Sequence, residues 1–248
     1  MYSVLPNLDA AGCTGIVYDG VNLSDIFEVH DIQIPMLPPI EAVTQEMAER
    51  PGAYFHSRKV KTREIVLKLG LNAGSRCPVD IFHAWREHSG LLAKSEPRKL
   101  QLKEDMYLMA MLVGETGIEN LGYRGVAELR FACFDPFFYG DEHSVALSSG
   151  SNAVRIEGGC ATFPTFQVTG VTGDFTLTNA GTGEKVKVTG LASSTTLVID
   201  MGGYRCTVNG SYKAADITVT DFWPLEPGAA SLTLSGGSGT MTYRERYL

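Results

Sequence analysis

The stretch Lys59-Val-Lys-Thr-Arg-Glu-Ile-Val-Leu-Lys-Leu-Gly-Leu71 is the clearest long strand in the chain. Ile65, Leu67, Leu69 and Leu71 alternate onto one face, and a period of two is the mark of a half-buried strand. Lys59, Lys61 and Arg63 continue that face toward the N-terminus. A core face does not hold three unpaired cations. The strand is therefore expected to leave the core there, with its end in solvent or against a partner.

Working outward, Val126–Phe134 alternates as cleanly, with Ala127, Leu129, Phe131 and Cys133 facing in and Glu128 and Arg130 facing out. Met106–Val113 reads as the strand before it. The connection 114–125 is glycine-rich and longer than the ~2–5 residues of an ordinary hairpin loop, and loops of that kind tend to carry function. Upstream, Gly15–Asn22 reads as a hairpin turning on Asp19-Gly20, followed by a short strand over 27–34. Pro35, Pro38 and Pro39 then interrupt any ladder. Residues 41–49 read as a short helix ended by Pro51-Gly52. A helix is expected over Pro78–Ser89, with Pro78 near its start, Val79, Phe82 and Trp85 on one stripe with Ile81 beside it, and Gly90 as its C-terminal cap.

Near residue 140 the composition changes. Four of the five histidines lie upstream, and Gly, Thr, Ser and Val dominate downstream. Ser148-Ser-Gly-Ser-Asn152 reads as a linker, giving domains 1–145 and 146–248. The second domain offers short strands at 165–168, 174–178, 185–188, 196–199, 206–208, 217–220, 231–234 and 241–247. Between them lie turns such as Ala180-Gly-Thr-Gly183, Met201-Gly-Gly203, Asn209-Gly210 and Ser235-Gly-Gly-Ser-Gly239. That spacing predicts an antiparallel sandwich. The fold class is mainly β.

The 248 residues are 44% hydrophobic and 20% charged, enough apolar material for two cores. The net charge of −7, with charges interspersed, is not the footprint of a nucleic-acid binder. Cys13, Cys77, Cys133, Cys160 and Cys206 are odd in number, widely spaced and without a C-x-x-C pair, so buried free thiols are expected rather than a disulfide scaffold or zinc site. The N-terminus lacks a basic start and apolar run. No stretch approaches the ~20 apolar residues of a membrane span, so a soluble chain of cytoplasmic synthesis, without membrane insertion, is expected.

No catalytic arrangement emerges. Gly236-Gly-Ser-Gly-Thr240 is not a nucleophile elbow. Gly181-Thr-Gly-Glu-Lys185 has the wrong spacing for a phosphate-binding loop. His83 and His88, five apart on a helix, do not share a face. Glu104-Asp105 and Asp141-Glu142, as neighbours on strands, point to opposite faces. No catalytic residue, metal ligand or cofactor site is assigned. Aromatics of the second domain, Trp223 and Tyr204 among them, are candidates for stacking on sugar rings or for plain packing.

Several segments together resemble a known family. Ile16-Val-Tyr-Asp-Gly-Val-Asn-Leu-Ser-Asp25 precedes the proline-rich stretch. Glu49-Arg-Pro-Gly-Ala-Tyr54, Arg63–Leu69, Glu96-Pro-Arg-Lys-Leu-Gln-Leu102 and Leu129-Arg-Phe-Ala-Cys-Phe-Asp-Pro-Phe-Phe-Tyr139 follow in order. Downstream come Gly159-Cys-Ala-Thr-Phe-Pro-Thr-Phe166, Asn179-Ala-Gly-Thr-Gly-Glu184, Leu197–Asp200, Phe222-Trp-Pro-Leu-Glu-Pro-Gly228 and Tyr243-Arg-Glu-Arg-Tyr247. This ordered set resembles the distal tail (Dit) proteins of long-tailed bacteriophages and covers nearly the whole chain.

The resemblance implies an N-terminal β-sandwich-like domain with one helix and a long β-hairpin arm, and a C-terminal galectin-like antiparallel β-sandwich. It implies a homo-hexameric ring at the virion tail tip. The partners would be the tail tube protein, tail-tip hub or tail-associated proteins and receptor-binding proteins, with DNA only as transiting cargo. In the family, a long hairpin reaches from one subunit onto the next. Here that role is expected of 106–134, with Ile118, Leu121, Tyr123 and Arg124 at the interface. Lys59, Lys61 and Arg63 are candidates to face the channel or a partner. The competing reading is a carbohydrate-binding adhesin acting through the C-terminal sandwich, with Trp223 as the stacking residue.

Overall fold

The computed structural model describes residues 15–47, 50–72, 74, 77–103, 105–121, 124–212 and 217–248. The chain divides into two compact units between Phe138 and Tyr139, a few residues before the expected boundary at 145.

The first unit carries β1 (Val17–Tyr18), β2 (Val21–Asn22), β3 (Glu28–Gln33), β4 (Ile40–Met47), β5 (Arg50–Val60) and β6 (Arg63–Asn72), then α1 (Pro78–Glu87) and α2 (Ser89–Leu92), then β7 (Arg98–Lys103), β8 (Met106–Val113), β9 (Ile118–Leu121) and β10 (Arg124–Cys133). Asp19 and Gly20 have φ of 50° and 82°, the paired positive values of the tight turn that joins β1 to β2. The alternation of β6 and β10 becomes a register. Ile65 lies opposite Phe131, Leu67 opposite Leu129 and Leu69 opposite Ala127, all six buried. β3 pairs with the other edge of β6.

β8 changes partners along its length. Residues 106–110 pair with β7 and 111–113 with β10, so this strand joins two sheets. Tyr18 from one sheet meets Phe131 from the other edge-on, with ring centroids 5.1 Å apart. Its hydroxyl donates to the Ala110 carbonyl at 3.4 Å, which satisfies the one polar atom this ring brings into the core.

α1 caps this core differently from the expected stripe. Ile81 and Trp85 are buried, and Trp85 stacks on Phe27 at 4.9 Å. Val79 and Phe82 are more than half exposed. The core-facing row runs at i, i+4 from Ile81 through Trp85 and is extended by Leu92, which α2 carries. The chain therefore makes a further helical turn, and Gly90 lies inside α2 instead of capping α1.

The second unit carries β11 (Phe138–Ile156), β12 (Thr165–Asn179), β13 (Lys185–Asp200), β14 (Arg205–Val208), β15 (Ser211–Tyr212), β16 (Ile217–Thr220) and β17 (Gly228–Tyr247). The expected linker 148–152 lies within β11. There the Asn152 amide accepts from Ser148 N and donates to the Ser148 and Gly150 carbonyls.

β12, β13 and β17 each span two of the expected short strands, joined by a glycine bend where a reversal was expected. The buried residues reveal the bend. In β12 they are Phe166 and Val168, then Val171, Phe175 and Leu177; in β13, Val186 and Val188, then Leu191, Leu197 and Ile199; in β17, Leu232 and Leu234, then Met241 and Tyr243. Even positions give way to odd ones in all three strands. A β-bulge does this by inserting one residue, and the ladders shift register at these places. Gly170, Gly173, Gly190 and Gly237 supply positive φ at the bends. Both halves then bury their inward side chains in one core.

Gly239 shows how tightly the bent strands approach. A Cβ there would sit 2.0 Å from the Gln167 carbonyl oxygen and 2.9 Å from Val168 Cα. Both are backbone atoms of β12, which cannot rotate away. Gly239→Ala should destabilise this unit by about 2–3 kcal/mol, the scale of an overpacked core. Denaturant unfolding followed by tryptophan fluorescence measures it, and an unchanged midpoint would refute the close approach.

Candidate assembly site

Residues 40–60, where a short helix was expected over 41–49, form an antiparallel ribbon of β4 and β5. Among the described residues its strands pair only with each other. The Ala, Glu and Gln of 41–49 favour helix locally, but propensity is a weak prior, and pairing with the Tyr54-Phe55-rich return strand overrides it. Pro51 sits at the start of β5, where its missing N–H is tolerated. His56 Nε2 lies 3.1 Å from Gln45 Oε1 across the ribbon.

Among the described residues the ribbon is exposed almost throughout. Ile40, Met47, Tyr54 and Phe55 are all exposed, Phe55 at 65%. Tyr54 and Phe55 are consecutive in a strand and so point to opposite faces. The run leading into the ribbon adds Ile34, Leu37 and Met36, the last 90% exposed. A two-stranded ribbon with both faces in water is marginal by itself, and exposed apolar residues gathered on one element mark an interaction surface.

The segment expected to reach outward, 106–134, is instead built into the first unit. Leu108, Ala110, Ala127, Leu129 and Phe131 are core residues, and the glycine-rich connection contains β9, which folds back onto β10. Ile118 is half-buried against the core and pairs with Ala127. Leu121 pairs with Arg124 at the end of this ladder, and Tyr123 lies outside the described residues. Gly125 lets α1 close over β10, since a Cβ there would meet Ile81 Cγ2 at 2.3 Å. The alternation of 126–134 marked these residues as core; the ribbon at 40–60 gave no comparable signal, because its two faces are equally exposed.

The three cations do not form one exposed row. β5 ends at Val60 and β6 begins at Arg63, so the face of Ile65 does not carry through to Lys59. Lys59 lies opposite Glu41 in the ribbon register. Lys61 pairs with the Glu41 carboxylate at 2.5 Å and, by its hydrogen bond first, holds that carboxyl below the usual range. Arg63 is fully buried. Its Nε donates to the Pro136 carbonyl at 3.0 Å and Nη1 to the Pro35 carbonyl at 2.6 Å, with the guanidinium 4.8 Å over the Phe138 ring. The expectation that Arg63 faces a channel or partner is corrected: main-chain carbonyls make room for this cation in the core face.

Other candidates resolve into packing. Among the described residues no His, Cys, Asp and Glu cluster could hold a metal ion. Burial pushes the Cys133 thiol up to about 12 and that of Cys206 to about 11, so neither is a thiolate nucleophile at neutral pH. Trp223 is fully buried in the second core and cannot stack on a ligand; the outward aromatics there are Tyr204 and Tyr212.

His143 of β11 and Glu245 of β17 form a polar clasp. His143 Nε2 lies 2.7 Å from Glu245 Oε1, the Tyr247 hydroxyl donates to Glu245 Oε2 at 2.9 Å, and His143 stacks on Tyr243. The His143 hydrogen bond, ahead of the one from Tyr247, holds the Glu245 carboxyl below its usual range. A carboxyl depressed on folding contributes stability above its unfolded pKa of about 4.3, and loses it as pH falls through the lower folded value. Melting temperatures between pH 3 and 7 should therefore fall more steeply in acid for the native chain than for Glu245→Gln. Parallel curves would remove the clasp from the stability account.

Residues 145–247 match the family of siphovirus-type tail components, in its C-terminal domain. Over 243 residues the chain is 24% identical to the distal tail protein of Bacillus phage SPP1, covering 94% of this chain and 95% of that protein. The crystal structure of SPP1 Dit, described as a paradigm of the hub adsorption apparatus in phages infecting Gram-positive bacteria, superposes with a TM-score of 0.83 at 19% identity, covering 94% of this chain and 99% of the other. A chain of the phage P2 baseplate gives a TM-score of 0.46 at 10% identity, over 87% and 91% of the two chains. The second unit is thus that of a siphophage tail component. Over nearly its whole length the chain is similar in sequence to the SPP1 distal tail protein and shares its fold.

Proposed function

We propose that this chain is a siphophage distal tail protein and works as the baseplate hub by closing into a homo-hexameric ring between the tail tube and the tip proteins. The observation that carries the reading is the ribbon 40–60: a two-stranded element with exposed Ile40, Met47, Tyr54 and Phe55 and no sheet neighbour among the described residues. A second copy of the chain can cover it, and a head-to-tail contact repeated around a rotation axis closes a ring. The ribbon takes the arm role that the sequence assigned to 106–134. Ile118 then belongs to the surface a neighbour meets, and Lys59 and Lys61 to the ribbon's partner-facing side.

The ring encloses the channel through which DNA passes, and the galectin-like second unit serves as the platform for tip or receptor-binding proteins. This protein acts without catalysis. Electron microscopy of the purified chain tests the reading. A six-fold ring with a central hole is expected, and a stable monomer at high concentration by light scattering would overturn it.

A further inference from the structure

We infer that Arg63 is a latch that ties both roots of the ribbon to the body of the first unit and so sets the direction in which the ribbon projects. The inference rests on the ribbon acting as the arm. Pro35 lies on the chain entering the ribbon and Arg63 on the chain leaving it, and the 2.6 Å bond from Nη1 to the Pro35 carbonyl joins the two. The 3.0 Å bond from Nε to the Pro136 carbonyl fastens that junction to the segment just past β10. Phe138 closes the other side of the guanidinium. Farther out, the root is closed again by Lys61 N donating to the Pro39 carbonyl at 2.8 Å and by the Lys61–Glu41 pair.

Fold stability alone does not account for this residue. A fully buried guanidinium loses its hydration, and burial is the first cause of the lowered Arg63 pKa. Among the described residues Nη2 has no hydrogen-bond partner. A methionine would fill the same space without that cost. A planar fork that reaches two carbonyls at once supplies geometry: it holds three separate chain segments in one place. Lysine carries a compact ammonium with rotatable donors and lacks this rigid, planar reach.

Hydrogen exchange and light scattering on the full chain test this with Arg63→Met and Arg63→Lys. In both variants the Lys61 amide should exchange about tenfold faster while the amides of residues 65–71 keep their native rates, as a local opening predicts. The ring population at fixed concentration should fall in parallel. If all amides of the first unit accelerate together in both variants, Arg63 only supports the fold and the latch is wrong. It is equally wrong if the Lys61 amide is unchanged in Arg63→Met, or if Arg63→Lys exchanges as the native chain does. The exchange readout needs no ring. A native chain that stays monomeric would therefore overturn the hub reading and leave the latch to be judged by exchange alone.

Discussion

Replacing residues 40–60 with a short Gly-Ser connection should leave the chain folded and monomeric. The ribbon contributes no residue to either hydrophobic core, so its removal takes no buried side chain from the body. Its roots are already held together at Pro35 and Arg63, a short span for a flexible connection to bridge. What is lost is the only two-stranded sheet of the molecule among the described residues, along with four large exposed apolar side chains. Circular dichroism and thermal melting should stay close to native, while light scattering moves from ring to single chain. A milder variant separates the ribbon's surface from its mere presence. Tyr54→Asp with Phe55→Asp places a charge on each face of an otherwise intact ribbon, and burying an unpaired charge against a neighbour is strongly unfavourable. Rings that persist in both variants would refute the arm assignment.

Trp223→Ala should cost about 3–5 kcal/mol, the range for deleting a large aromatic from a core. Trp223 is the largest fully buried side chain of the molecule and joins the core that both halves of β12, β13 and β17 enclose. Its indole Nε1 has no hydrogen-bond partner among the described residues. Trp223→Phe should therefore be far milder than truncation: it removes a buried N–H whose desolvation costs about 1–3 kcal/mol, partly offsetting the lost ring volume. Urea unfolding of the two variants decides. Equal losses would mean that the indole N–H is in fact satisfied. The same pair bears on the adhesin reading in its Trp223 form, because a residue with no exposed surface contributes to ligand binding only through the fold.

The parts of the fold that were legible in the sequence share one property: a face that is buried on one side only. β6 and β10 announced themselves by alternation, and the halves of β12, β13 and β17 as short strands with turn signals between them. Whether such a break reverses the chain or merely bends it depends on which strands lie alongside. Gly236–Gly239 reads the same either way, and only the close approach of β17 to Gln167 decides for a bend. The stripe on α1 was misplaced for a related reason. Val79 and Phe82 are as apolar as Ile81 and Trp85, and helical periodicity marks a stripe without saying where Phe27 will stand.

The sequence by itself determined that the chain is a mainly β, two-part protein, because alternation and turn chemistry are local properties. It also carried the ordered resemblance to distal tail proteins. Tertiary structure alone decided which hairpin stands apart and what the cation at the start of β6 does. Ribbon 40–60 has no buried face, so no hydrophobic period betrays it. Arg63 is tolerated in a core face because two carbonyls, 28 residues before it and 73 after it in the chain, converge on its guanidinium, and no reading of neighbours in sequence brings them together.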